Sequence, residues 1–175
     1  RDRDARRPAA AAPSVRLLEK TPKNALRLPF LDAVFPDACV VYLYRDPAES
    51  LASLIDGWTS GRFVTYPDLP GWTGPPWSYL LVPGWRELIG APLAAIVAAQ
   101  WQRTQQALLD DLSALPKERV VAFDYRDLVA DPRRAIEAIG AFAGITVDRE
   151  LPASLPLSAH TLTPPDPDKW RRHCW

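Results

Sequence analysis

The sequence is poor in sulfur and imidazole side chains. It contains two cysteines, two histidines and no methionine among 175 residues. Cys39 and Cys174 are far apart in the chain, so they indicate neither a disulfide framework nor a zinc-type ligand spacing. His160 and His173 both lie near the C-terminus. Sparse cysteine fits a reducing compartment, and we therefore expect a cytoplasmic protein without a bound metal.

The chain also lacks an excess of charge and a long apolar run. Its 21 basic and 21 acidic residues cancel, which excludes an overall field that would attract nucleic acid or an anionic membrane surface. No apolar run is long enough to cross a bilayer, and Arg1 to Pro13 lacks the apolar core of a signal peptide. We expect neither nucleic acid nor a membrane as a partner, so any anion must be bound at a local site.

The length of 175 residues fits one compact domain. Residues 1–14 are polar and aperiodic, and we interpret them as a flexible leader to a domain over residues 15–175. An ordered insertion rich in Trp, Pro and Gly is expected at residues 57–92, where its tryptophans either wall a substrate site or fill the core. Because the chain starts at Arg1 without methionine and ends at Trp175 in a charged aromatic cluster, we expect it to be a fragment.

Short apolar runs alternate with helical patterns along the domain. The runs at Cys39–Tyr44 and Arg119–Phe123 are typical of parallel strands buried on both faces, and Val15–Leu18 is a third candidate strand. Helices are predicted after Thr21-Pro22, Asp46-Pro47 and Asp131-Pro132, and over the periodic run from Leu93 to Leu112. This alternation predicts an α/β domain with a parallel sheet.

Two of these helices allow more detailed predictions. For the helix after Pro22 the spacing predicts a kink at Pro29 and inward-facing Leu26, Phe30, Leu31 and Val34. For the helix after Asp46, that aspartate is the expected N-cap, and Glu49 stands where a capping box requires an acidic residue.

The end of the second predicted strand carries a candidate anion site. Ligands of open α/β sheets collect where strands end and helices begin. Arg45 ends this strand and Ser53 lies on the following helix, so both could reach a phosphate above the start of the helix. The alternative is that Arg45 pairs with Asp46 or Glu49 while Ser53 faces water.

A series of motifs gives the chain a family resemblance. They are Glu19-Lys20-Thr21-Pro22, the run from Asn24 to Phe30, Phe35-Pro36-Asp37-Ala38, Tyr44-Arg45-Asp46-Pro47 with Ser53, the run from Trp77 to Arg86, Gln100-Trp101, Tyr125-Arg126-Asp127-Leu128 with Asp131-Pro132, and Asp168-Lys169-Trp170-Arg171. In this order and spacing the chain resembles the bacterial branch of the sulfotransferase family from Leu18 onward. The resemblance implies a three-layer α/β sandwich with a parallel sheet, the P-loop-NTPase-like sulfotransferase fold, in an incomplete form.

The resemblance also implies an activity and a donor. A sulfuryl group would pass from 3′-phosphoadenosine 5′-phosphosulfate to a hydroxyl or amine of a small molecule or glycan, without a metal and without a covalent enzyme intermediate. By their matching positions Arg45 and Ser53 would hold the 3′-phosphate, and Tyr125 would lie near the adenine or support the adjoining loop. Alternatively Tyr125 is a residue at the edge of the core with its hydroxyl at the surface.

The same resemblance assigns roles at the start of the domain. Glu19 would be the general base for the acceptor, and Lys20 would place positive charge near the bridging oxygen of the donor. The alternative is a salt bridge from Glu19 to Lys20 or Lys23 at a helix start, with solvated lysines. Other branches of the family use a histidine near the position of Glu19, and this sequence has none there.

The ends of the chain leave further alternatives open. Nothing in residues 1–14 resembles the phosphate-cradling loop with which the family begins, so we expect weak binding of 3′,5′-bisphosphoadenosine and poor turnover by this chain alone.

A non-catalytic nucleotide-binding or scaffold domain that keeps the fold is the alternative function. Phosphoryl transfer from ATP ranks last, because no Gly-rich Lys-Ser/Thr loop is present. The basic C-terminal cluster either covers the 3′-phosphate or forms a surface helix packed through Trp170.

Overall fold

The computed structural model describes residues 16–148, 150, 156–159, 161–166 and 168–172. The predicted leader at 1–14 lies outside the described residues, as do both histidines. The strands are β1 (Val40–Tyr44), β2 (Val64–Tyr66), β3 (Trp77–Ser78) and β4 (Val120–Asp124), and the α-helices are α1 (Leu28–Val34), α2 (Pro47–Ser60), α3 (Leu93–Ser113), α4 (Tyr125–Ala130) and α5 (Pro132–Ala143). Within this part of the chain no helix is both long enough and apolar enough to cross a bilayer.

The central pairing is the parallel one between β1 and β4. Its register runs from Val40 opposite Val120 to Tyr44 opposite Asp124, so both strands end side by side. Helix α2 follows β1 directly and α4 follows β4 directly. This arrangement confirms the predicted α/β class with a parallel sheet. A short antiparallel pair, β2 with β3, lies within the Trp-rich segment.

The expectation that the strands are buried on both faces is wrong for β1. Tyr42 turns toward α3, where its hydroxyl donates to Gln105 Oε1 at 2.7 Å. Val41 and Leu43 are exposed, and they point away from Tyr42 because side chains alternate between the faces of a strand. Continuous apolarity predicted burial on two faces, whereas Val41 and Leu43 on one face are exposed and Tyr44 on the face of Tyr42 is exposed too.

The predicted strand at the start of the domain is also wrong. Val15 lies outside the described residues, and Arg16 to Leu18 form no strand, with Leu17 and Leu18 84% and 90% exposed. A strand needs a neighbour for its backbone hydrogen bonds, and none of the described strands pairs with this segment.

The region after Pro22 forms two helices instead of one kinked helix. A 3₁₀-helix spans Pro22–Leu26, and α1 then begins at Leu28 with Pro29 in its first turn, where proline costs no hydrogen bond. The break changes which residues face inward, because it resets the helical phase. Leu28 is buried, whereas Phe30 and Val34 are exposed, contrary to the prediction.

Helix α2 begins as its sequence predicts, and it extends to Ser60, past residue 57 where the insertion was expected to start. The Asp46 carboxylate accepts hydrogen bonds from the backbone N–H groups of Ala48 at 2.9 Å and Glu49 at 3.2 Å, and Pro47 occupies the first helical position. The helix ends at Gly61, whose φ of 66° lies in the left-handed region that glycine adopts without strain.

The core lies around the tryptophans of the Trp-rich segment. Trp77 is in edge-to-face contact with Trp58 and Trp72, with ring centroids 5.3 Å and 5.0 Å apart. Trp85 contacts the same group, and Val82, Leu88, Ile96 and Val97 complete the buried cluster. These four tryptophans therefore fill the core, the second of the two roles considered for them.

One buried amide ties this core to α3. Gln100 Oε1 accepts the indole N–H of Trp58 at 3.0 Å, and Gln100 Nε2 donates to the carbonyl oxygens of Ser78 at 2.9 Å and Leu80 at 2.6 Å. Gln100 is buried, so it supplies these polar groups with hydrogen bonds at a place that water does not reach.

Gln100→Ala is expected to lower the free energy of unfolding by about 2–3 kcal/mol, because it removes the acceptor of the buried Trp58 indole N–H and a donor to the Ser78 carbonyl. The Leu80 carbonyl keeps the Trp77 indole N–H as a donor. Urea denaturation measures the change. The control is Gln102→Ala, an exposed glutamine on the same helix. A loss equal to that of the control would contradict this role for Gln100.

Candidate functional site

A cavity of about 190 Å³ opens near the carboxyl end of the parallel pair. Four parts of the chain form it: the β1–α2 connection, the segment around β2 and β3, the start of α4, and a C-terminal segment that lies against α2. Its lining residues are Arg45, Ser53, Phe63, Tyr79, Tyr125, Thr161, Leu162, Thr163, Pro164, Pro165 and Lys169.

Three of the five predicted site residues meet at this cavity. Arg45 Nη1 donates to Ser53 Oγ at 3.3 Å, and the Arg45 guanidinium lies 5.1 Å from the centre of the Tyr125 ring, within cation–π range. Arg45 and Tyr125 follow β1 and β4 directly, so the register of the strands brings them together. Tyr125 therefore supports Arg45 through its ring.

Arg45 also forms an ion pair with Glu49, which was the alternative to a phosphate contact. Its Nε donates to Glu49 Oε2 at 2.9 Å. The second oxygen of Glu49 accepts from Arg126, with Nε and Nη2 each at 3.2 Å, and Arg126 Nη2 lies 2.9 Å from Asp46 Oδ2. The capping-box prediction for Glu49 is wrong, because two charged guanidinium donors outcompete a neutral backbone N–H for its carboxylate.

The C-terminal segment brings a second cation to the cavity. Lys169 Nζ lies 2.6 Å from Asp56 Oδ2 on α2, and the Lys169 side chain is only 7% exposed. Thr161 and Thr163 of the same segment add hydroxyl groups to the lining. Arg171 and Arg172 pair instead with Asp168 and Asp166. Of the basic C-terminal cluster, Lys169 alone lines the cavity.

Aromatic side chains form a further wall. The rings of Phe63 and Tyr79 stack with centroids 5.0 Å apart. Tyr79 has a φ of 62°, which strains a non-glycine residue. Its hydroxyl lies beside Gly57, where a Cβ on residue 57 would be 1.6 Å from the hydroxyl oxygen. Burial, with the nearby charge of Asp56, raises the pKa of Tyr79 to about 12, so its hydroxyl stays protonated at neutral pH.

Glu19 and Lys20 do not line this cavity. Both are exposed, and Glu19 Oε1 accepts from Asn24 Nδ2 at 3.2 Å. Hydrogen bonds from Thr21 and then Asn24 hold the pKa of Glu19 below its usual 4.5. The salt bridge considered for Glu19 is not seen among the described residues, and Lys23 Nζ instead lies 5.5 Å from the centre of the Tyr66 ring.

The sequence did not single out several residues of the site. Phe63 and Tyr79 lie in the Trp-rich segment that was expected either to wall a site or to fill the core, but their positions within it carried no separate signal. Thr161 is distant in sequence from every predicted strand. Glu49 and Arg126 were placed in a capping box and a turn motif, and only the spatial approach of α2 to α4 shows that they pair.

Comparison with known proteins adds one match. A sequence model described as the sulfotransferase family matches residues 5–149. The matched region contains Glu19, Arg45, Ser53 and Tyr125, and it ends before Lys169. No curated protein and no solved structure matches the chain.

The geometry around Glu19 predicts its titration. We expect the pKa of its carboxyl to lie below 4.5, and Asn24→Ala should raise it toward the ordinary value because the variant removes a donor that favours the charged form. A pH titration followed by carboxyl ¹³C NMR measures both. A Glu19 pKa that does not change in Asn24→Ala would contradict the contact.

Proposed function

The chain belongs to the sulfotransferase family, and we propose that its cavity binds the 3′-phosphate of 3′-phosphoadenosine 5′-phosphosulfate. This donor would supply the sulfuryl group for a hydroxyl or amine of a small molecule or glycan. The observation that carries the proposal is the contact of Arg45 Nη1 with Ser53 Oγ, 3.3 Å apart at the wall of the cavity. A guanidinium and a hydroxyl at this separation can donate to two oxygens of one phosphate.

Side chains rather than backbone must hold the phosphate. A helix start often binds anions through its free N–H groups, but Asp46 already accepts from the first N–H groups of α2. Arg45, Ser53 and Lys169 remain as donors along the cavity. Lys169 adds a second positive charge, and Thr161 and Thr163 add hydroxyl donors.

The size of the cavity agrees with part of a nucleotide. At about 190 Å³ it is smaller than the roughly 300–1,000 Å³ of pockets that enclose whole drug-sized ligands. It therefore suits a phosphate and its attached sugar better than the entire donor. Its aromatic wall of Phe63, Tyr79 and Tyr125 gives apolar surface beside the phosphate donors.

Glu19 is the proposed general base, with Lys20 beside it as a source of positive charge. Glu19 is ionised at neutral pH, as a proton acceptor must be, although the hydrogen bonds that lower its pKa also make it a weaker base. Glu19 Oε2 would take the proton of the acceptor hydroxyl or amine, while Oε1 stays bonded to Asn24 Nδ2. Glu19 is exposed, which leaves its carboxylate accessible to an acceptor.

Calorimetric titration with 3′,5′-bisphosphoadenosine and 5′-AMP tests the proposed phosphate site. The two ligands differ by the 3′-phosphate, whose charge-assisted hydrogen bonds should contribute about tenfold or more in affinity. Arg45→Ala is expected to remove this difference while it leaves binding of 5′-AMP nearly unchanged. Arg134→Ala, at an exposed position on α5, is the matched control.

Equal affinity of the unaltered chain for both ligands would refute the 3′-phosphate site. Because poor turnover is expected of this chain alone, sulfate transfer is to be assayed on a longer form of the protein that carries a phosphate-cradling loop. Selective binding of the bisphosphate without transfer by that form would favour the non-catalytic nucleotide-binding alternative.

A further inference from the structure

We propose that Glu49 is a positioning residue, which fixes the Arg45 guanidinium for the phosphate; this inference rests on the proposed function. Glu49 is 4% exposed, although glutamate is rarely buried without a partner. It lies one helical turn after Arg45, and its Oε2 accepts from Arg45 Nε at 2.9 Å. The contact uses the nitrogen of Arg45 that lies nearest its aliphatic stem.

Binding through Nε orients the rest of the guanidinium. The Nη1 end then reaches Ser53 Oγ, and Cζ of the guanidinium lies 5.1 Å from the centre of the Tyr125 ring. Three contacts thus hold the group before a ligand arrives. An arginine side chain loses much rotamer freedom when it is fixed, so earlier fixation reduces the entropy lost on binding.

Arg126 makes the burial of Glu49 tolerable. It donates to Glu49 Oε1 from α4 and also contacts Asp46, so two guanidinium groups face two carboxylates in one cluster. The formal charges of Arg45, Arg126, Asp46 and Glu49 cancel. The cluster therefore does not attract an anion through excess charge, and a role for Glu49 in phosphate binding must come from orientation.

Positioning and simple charge predict opposite effects of removing this carboxylate. A negative charge close to a bound phosphate repels it, so a purely electrostatic Glu49 would weaken binding, and its neutralisation would strengthen binding. If Glu49 instead positions Arg45, its neutralisation frees the guanidinium and weakens binding. The sign of the change separates the two roles.

The first test measures affinities of Glu49→Gln for 3′,5′-bisphosphoadenosine and 5′-AMP. We expect the ratio of the two affinities to fall about tenfold relative to the unaltered chain, with little change for 5′-AMP. Glu87→Gln is the matched control, because Glu87 also pairs with an arginine, Arg103 at 2.7 Å, but at an exposed place outside the cavity lining. An unchanged or increased ratio in Glu49→Gln would overturn the proposal.

The second test needs no nucleotide, and its first measurement needs no variant. The Nε–H signal of Arg45 in ¹⁵N-resolved NMR spectra of the unaltered, ligand-free chain should exchange slowly with water, because Glu49 holds this proton in a part-buried hydrogen bond. Glu49→Gln should reduce that protection, because a single amide oxygen then faces two guanidinium groups, and Glu87→Gln should retain it. Fast exchange in the unaltered chain would overturn the proposal by itself. A protected Nε–H together with equal affinities for the two nucleotides would instead refute the phosphate site and leave Arg45 fixation intact.

Discussion

The parallel pairing of β1 with β4 is the constraint from which the candidate site follows. Because Tyr44 stands opposite Asp124, the residues that come next, Arg45 and Tyr125, leave the sheet at the same edge. Their contact across 5.1 Å needs no long loop to arrange it. Glu49 then connects the helices that follow the two strands, since it accepts from Arg45 on one side and from Arg126 on the other. A shift in the register of β1 against β4 would separate Arg45 from Tyr125 and break the ion pairs of Glu49.

The tryptophan core supports the opposite wall of the cavity. Trp58 is buried near the end of α2, and its indole N–H is bound by Gln100, which also holds the backbone at Ser78 and Leu80. Tyr79 lies between these two anchored residues with its strained φ of 62°. Packing on both sides of Tyr79 explains how the chain maintains a conformation that costs about 1–3 kcal/mol elsewhere. The C-terminal segment then closes the cavity through the pair of Lys169 with Asp56.

Features determined by neighbouring residues could be predicted from the sequence. The Asp46 cap, the helix start at Asp131-Pro132 and the position of α3 depend on local hydrogen bonding and periodicity, and the structure has all three. The exposure of Phe30, the open face of β1 and the partners of Glu49 depend on which elements meet in space. Glu49 shows the difference clearly: its local pattern fits a capping box, but an arginine 77 residues away changes its role. Arg45 and Ser53 were predicted from their place at a strand end and from the family resemblance. For the basic cluster that contains Lys169 the sequence left two roles open, and the position of Lys169 against α2 brings it to the cavity.

A crystal structure of the chain with 3′,5′-bisphosphoadenosine is the most direct test of phosphate recognition by Arg45. The account predicts that oxygens of the 3′-phosphate accept hydrogen bonds from the Nη atoms of Arg45 and from Ser53 Oγ, while Arg45 Nε stays bound to Glu49. A 3′-phosphate bound elsewhere, or a 5′-phosphate in its place between Arg45 and Ser53, would contradict that claim.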